Sequence, residues 1–142
     1  MADRVRRPVQ FEVMLNELRD KGIFKTYKDA LVFSACLGKK RNKRVPFAKS
    51  SEPVHLSIFS GDFDKMVINS IAVAEDEDAF LLSEEREDEK IKIFEEYACG
   101  GLEILKNEIW DLKNDWEKSI IYLMLQEEDT EKILTDITML AS

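Results

Sequence analysis

The sequence predicts a mainly α protein: a compact multi-helix domain of about five or six helices, with at most one short β-strand or hairpin. Three observations carry that expectation. The 142 residues include only five Gly and three Pro, too few turn formers for the many short strands of a sandwich. Apolar residues recur at three- and four-residue steps along most of the chain, the period of an amphipathic helix. Hydrophobic residues make up 44% of the sequence, enough for one core in one domain over residues 1–142.

Residues 1–8 carry Arg4, Arg6 and Arg7 and are expected to be a basic, mobile tail. Pro8 suits the first turn of helix 1, about residues 9–21. Phe11, Met14, Leu15 and Leu18 give that helix one apolar face, and Gly22 ends it. Thr26 is a good N-cap for helix 2, with Asp29 three residues on. "YKDALVFSACLG" is apolar on nearly every side, so this helix is expected to be central. Gly38 stands where a C-terminal cap is expected.

A basic loop follows, residues 38–53, bounded by Gly38 and Pro53. "VHLSIF" (54–59) alternates like a short strand, or serves as an extended lead-in. A strand needs a partner, which "VPF" (45–47) or a second subunit would supply. Helix 3 begins near Asp62, with Phe63, Met66, Val67, Ile71 and Ala74 on one face. Ser83 caps the longest helix, about 84–113, whose stripe runs through Ile91, Phe94, Ala98, Gly101 or Leu102, Leu105, Ile109 and Leu112. Gly100-Gly101 cost that helix about 2 kcal/mol relative to alanines. They would permit a kink or close approach by another helix, and a break into two helices is the alternative. Asp115 and Thr130 are caps for two further helices reaching the C-terminus.

Charge is unevenly placed. Residues 1–49 hold 13 Lys+Arg against 5 Asp+Glu (+8), and residues 50–142 hold 8 against 24 (−16). Lys39, Lys40, Arg41, Lys43 and Arg44 crowd into six positions. A dense cationic patch suits phosphate neutralisation, and Arg4, Arg6 and Arg7 would add backbone contacts. The bland alternative is that the basic and acidic parts attract each other within the fold or across a dimer. "KKRNKR" also fits a nuclear-localisation pattern, which matches many unrelated sequences. The acidic stretch 75–96 could mimic DNA only if its carboxylates were spaced like phosphates on a surface.

Catalytic signals are sparse. There is one His, His55, with no second imidazole for a metal site or relay. Cys36 and Cys99 read as reduced, buried thiols of a cytosolic protein. No GxxxxGK[ST], GxGxxG or GxSxG run is present. "EDED" (75–78) and "EEREDE" (84–89) are dense in carboxylates, but density alone does not fix ligand geometry. No catalytic residue, metal or cofactor is assigned. No apolar run approaches the roughly 20 residues of a membrane span. The N-terminus lacks the apolar core of a secretory leader.

Three stretches match a known family as a unit: "LRDKGIFKTYKDALVFSACLGKKRNKRVPF", "SSEPVHLSIFSGDFD" and "IKIFEEYACGGLEIL". Over about residues 6–106 the chain resembles the DNA phosphorothioation (Dnd) system-associated protein 4 family, small bacterial accessory proteins. The resemblance implies a cytoplasmic protein in a DNA-modification or antiviral-defence neighbourhood, and it brings no catalytic residues. The expected function is therefore a non-enzymatic accessory factor whose basic loop and N-terminal arginines bind the DNA backbone. The alternative is an adaptor whose basic loop docks an acidic partner subunit of a phosphorothioation system. A small nuclease is the reading that the missing motifs disfavour. A homodimer is expected from the strand without an evident partner.

Overall fold

The computed structural model describes residues 3–76, 86–111 and 120–121. In chain order these form strand β1 (Arg4–Pro8), a 3-10 turn (Val9–Phe11), α1 (Glu12–Asp20) and α2 (Tyr27–Lys40). Then come β2 (Ser50–His55), a second 3-10 turn (Leu56–Phe59), α3 (Asp62–Asp76) and α4 (Glu87–Leu105), which continues into a π-turn (Lys106–Trp110). The protein is mostly helical with one two-stranded antiparallel sheet. Four α-helices stand among the described residues, rather than five or six. The helices expected after Asp115 and Thr130 lie outside the described residues, apart from Ile120 and Ile121, which are helical.

The basic tail is a correction. Charge suggested mobility for residues 1–8, but Arg4–Pro8 pairs with β2, with Val5 opposite Val54 and Arg7 opposite Ser51. Val5 and Arg7 are buried while Arg4 is exposed, so alternation beneath the charges outweighs the charges. The register shifts between Val5 and Arg7, opposite Pro53, which has no N–H to give to the ladder. "VHLSIF" is split: the strand ends at His55, and "LSIF" is the 3-10 turn. Its partner comes from the same chain, so the strand supplies no motive for a dimer.

Local signals set the helix ends. Thr26 Oγ1 accepts from the Asp29 N–H at 3.2 Å, the expected cap. Gly22, with φ +73°, closes α1: its N–H bonds to the Arg19 carbonyl and that of Ile23 to Leu18. This is a Schellman motif. Gly38 does not end α2, which runs on to Lys40. Asn42, at φ 51°, takes the left-handed position, with Asn42 N–H to Lys39 O and Lys43 N–H to Gly38 O.

Gly38 has a different task. It is buried where α2 crosses α4, and a Cβ there would overlap the Tyr97 carbonyl. One α4 helix does pass through Gly100-Gly101, as expected. A Cβ on Gly101 would overlap the Ser34 carbonyl, and one on Gly100 the Lys43 carbonyl. Three glycines thus let α2, α4 and the basic loop touch backbone to backbone.

The core is built on Leu31, Ala35 and Leu37 of α2 with Phe94, Ala98, Leu102 and Leu105 of α4, closed by Val5, Leu15, Leu18 and Phe59. The α3 stripe is rotated from expectation. Val67, Ile68, Ile71 and Ala72 are buried, whereas Phe63 and Met66 are 62% and 55% exposed. Lys28 of α2 pairs with buried Asp64 at 3.0 Å, which turns the helix so that Phe63 and Met66 face outward.

Candidate functional site

The cationic segment begins on the last turn of α2, with Lys39 and Lys40, and continues through Arg41, Lys43 and Arg44 in the loop. The Schellman turn at Asn42 directs this loop back onto α4. Gly100 lets the Lys43 backbone settle against the helix, and the Val45 N–H donates to the Glu96 carbonyl at 3.0 Å. The loop is therefore seated on the body of the protein.

Its side chains meet carboxylates there. Lys39 Nζ lies 3.4 Å from Glu75, Arg41 Nη1 2.6 Å from Glu108, and Lys43 Nζ 3.0 Å from Glu103. Arg44 bridges two: Nη1 to Glu75 at 2.9 Å, and Nε and Nη2 to Glu96 at 2.7 Å. Tyr97 also donates to Glu75, and Lys39 lies 5.0 Å above the Tyr97 ring. Lys40 is exposed on the final turn of α2.

Electrostatics follow from this geometry. The hydrogen bond from Tyr97, joined by those from Arg44 and Lys39, holds the Glu75 carboxyl below its ordinary range despite some loss of solvent around it. Burial opposes the charge on Arg44, but bonds to Glu96 and Glu75 overcome it and raise its pKa. Burial and the bond to Glu75 push the Tyr97 phenol up to about 12.

The N-terminal arginines divide. Arg4 is exposed beside Asp3. Arg6 turns inward: its backbone N–H donates to Glu95 Oε2 at 2.5 Å, its Nε to Oε1 at 3.1 Å, and its guanidinium covers the Phe47 ring at 4.5 Å. Glu95 is buried, and burial raises its pKa even though Arg6 pulls the other way. Arg7 is 4% exposed, donates from Nε to the Glu52 carbonyl and stacks at 4.0 Å on Tyr27. Burial of that kind leaves Arg7 no surface to offer a phosphate.

Lys39, Arg41, Lys43 and Arg44 are thus brought together, but along a wall of carboxylates. Arg6 and Arg44 reach the adjacent residues Glu95 and Glu96. The partners Glu75, Glu95, Glu96, Glu103 and Glu108 were missed as site residues. The readable signal for them was the opposed charge of the two parts of the chain. Internal attraction, the bland alternative, is what the ion pairs display.

Other chemistry is limited. Burial raises both thiols, Cys99 to about 12. Among the described residues no group of three His, Cys, Asp or Glu is placed to hold a metal ion. Among them, too, no helix is long and apolar enough to cross a membrane.

Comparison with curated proteins and with solved structures gives no match. The profile of one family, described as DNA sulphur modification system-associated protein 4, matches residues 4–140. That match spans nearly the whole chain, β1 and the carboxylate-bound loop included, and the chain belongs to the DNA sulphur modification system-associated protein 4 family.

Proposed function

We propose that the protein is a non-enzymatic, cytoplasmic docking factor of a DNA sulphur modification system, contacting another protein of that system rather than gripping DNA through its basic loop. The ion pairing of Lys39, Arg41, Lys43 and Arg44 with carboxylates of α3, α4 and the π-turn carries this reading. A phosphate approaching the loop must displace carboxylates already in place, against a net charge of −8. The exposed side chains of Phe63 and Met66, one turn apart on α3, offer the apolar contact that an interface core needs. The excess of carboxylates favours a partner with a basic surface.

Direct DNA contact is the second reading, favoured by the outward position of Arg4 and Lys40. The two differ in salt dependence. Seven phosphate contacts, one for each of Arg4, Arg6, Lys39, Lys40, Arg41, Lys43 and Arg44, give a log–log salt slope of about −6, and two give about −2. The test pairs duplex-DNA anisotropy over a salt series with co-purification against the other proteins of the system. Docking predicts a shallow slope and a stable complex lost in Phe63→Asp/Met66→Asp. A slope near −6 with no protein complex overturns it.

A further inference from the structure

Where the end of β2, the second 3-10 turn, α3 and the first turn of α4 converge, they line an open cleft of about 530 Å³. Its floor is apolar, formed by half-buried Leu56 with Phe59, Ile68 and Ile91. Phe59, Ile68 and Ile91 are each under 5% exposed, and the Phe59 ring is held edge-on by Phe94 at 5.8 Å. The rim is polar, with Asp3 before β1, His55 at the end of β2, Lys65 and Asn69 from α3, and Glu87 and Lys90 from α4. The two lysines differ from those of the basic segment. Among the described residues, neither Lys65 nor Lys90 has a carboxylate within ion-pair distance, although Asp3 and Glu87 line the same cleft.

We propose that this cleft binds a nucleoside monophosphate group. Its volume suits a ligand of that size. A planar base would lie against Leu56, the half-buried apolar side chain of the lining, with the Asn69 amide to hydrogen-bond its edge. Lys65 and Lys90 supply the cations that a phosphate requires. Glu87, a carboxylate with nothing but acceptors, would accept hydrogen bonds from the sugar hydroxyls. A simple apolar anion leaves Asn69 and Glu87 without a role, and free phosphate leaves the floor without one. Nucleotide binding here does not depend on the docking proposed above, since Phe63 and Met66 project from another face of α3.

The test is calorimetric titration of the full chain with AMP, adenosine and inorganic phosphate. AMP should bind at one site, at least tenfold tighter than either fragment. Lys65→Ala/Lys90→Ala should weaken AMP by tenfold or more with unchanged unfolding temperature, because Lys65 is exposed and Lys90 is unpaired. Lys39→Ala/Lys43→Ala should bind AMP as the native chain does. A 5′-phosphorylated tetranucleotide separates two sources of the same group: binding tighter than AMP's indicates a strand end, and weaker binding a free nucleotide. The proposal is overturned if AMP binds no better than phosphate, if the cleft variant binds normally, or if only the Lys39/Lys43 variant loses binding.

Discussion

Gly101 of α4 lies against the main-chain carbonyl of Ser34 on α2, so closely that a Cβ would overlap it. Helix propensity and packing make opposite predictions for this position. Propensity favours alanine by about 1 kcal/mol. Packing opposes it, because the obstructing atom belongs to the backbone of the neighbouring helix and cannot rotate away. Gly101→Ala should therefore destabilise by ~3 kcal/mol, at or beyond the upper end for overpacking. Gly22→Ala is the informative control: its left-handed φ is strained for alanine, but no atom lies within 4 Å, so about 1–2 kcal/mol is expected. Chemical denaturation of both variants checks the order, and a stable Gly101→Ala would contradict the close approach.

Arg44 is the hinge of the charge network because one guanidinium serves two carboxylates on different helices. Glu96 is buried, so removing its partner strands a charge that water reaches poorly. Arg44→Ala should cost ~1–3 kcal/mol. Glu96→Gln in the same background should recover part of that loss, since the stranded charge is gone. A double-mutant cycle measures the coupling, and additive losses would mean that the pair contributes no more than an exposed surface bridge.

How far the sequence discloses this arrangement depends on whether a signal is local. Thr26 and Gly22 act within their own turns, and both do what their residue types predict. The stripe of α4 is equally plain because it repeats over five turns. Gly38 misleads because a glycine near a helix end has two uses, and only the position of α4 selects between them. Asn42 supplies the cap instead, a legitimate but less frequent choice. The N-terminal arginines mislead for a related reason. Charge at Arg6 and Arg7 was visible, but burial against Glu95 and Tyr27 is set by residues far away in sequence. The basic run itself was legible as a cluster; which carboxylates answer it was not, because Glu75, Glu96, Glu103 and Glu108 meet it only through the fold.

Two glutamates should give opposite pH signatures. Glu75 has a lowered pKa, so it contributes stability above its unfolded value of 4.5 that is lost as pH falls through the folded value. Glu95 has a raised pKa. Its native carboxyl keeps the proton longer than the unfolded one, so stability falls as pH rises from 4.5 through the folded value. Measured by denaturant unfolding between about pH 3 and 7, Glu75→Gln should flatten the acid-side loss. Glu95→Gln should remove the opposite slope. Matching slopes in the two variants would contradict the assignment.

Tyr97 offers a spectroscopic readout of the same network. Its phenol is withdrawn from water and donates to Glu75, which together push its pKa to about 12 from an ordinary 10. From pH 10 upward the unfolded chain gives up this proton while the folded one keeps it, so native stability declines across that interval. Ultraviolet titration of the folded protein should show one tyrosine ionising near 12, absent in Tyr97→Phe. Glu75→Gln should bring that transition down towards 10, because the charged acceptor no longer resists formation of a phenolate. An unmoved transition would assign the shift to burial alone and detach Tyr97 from the ion-pair network.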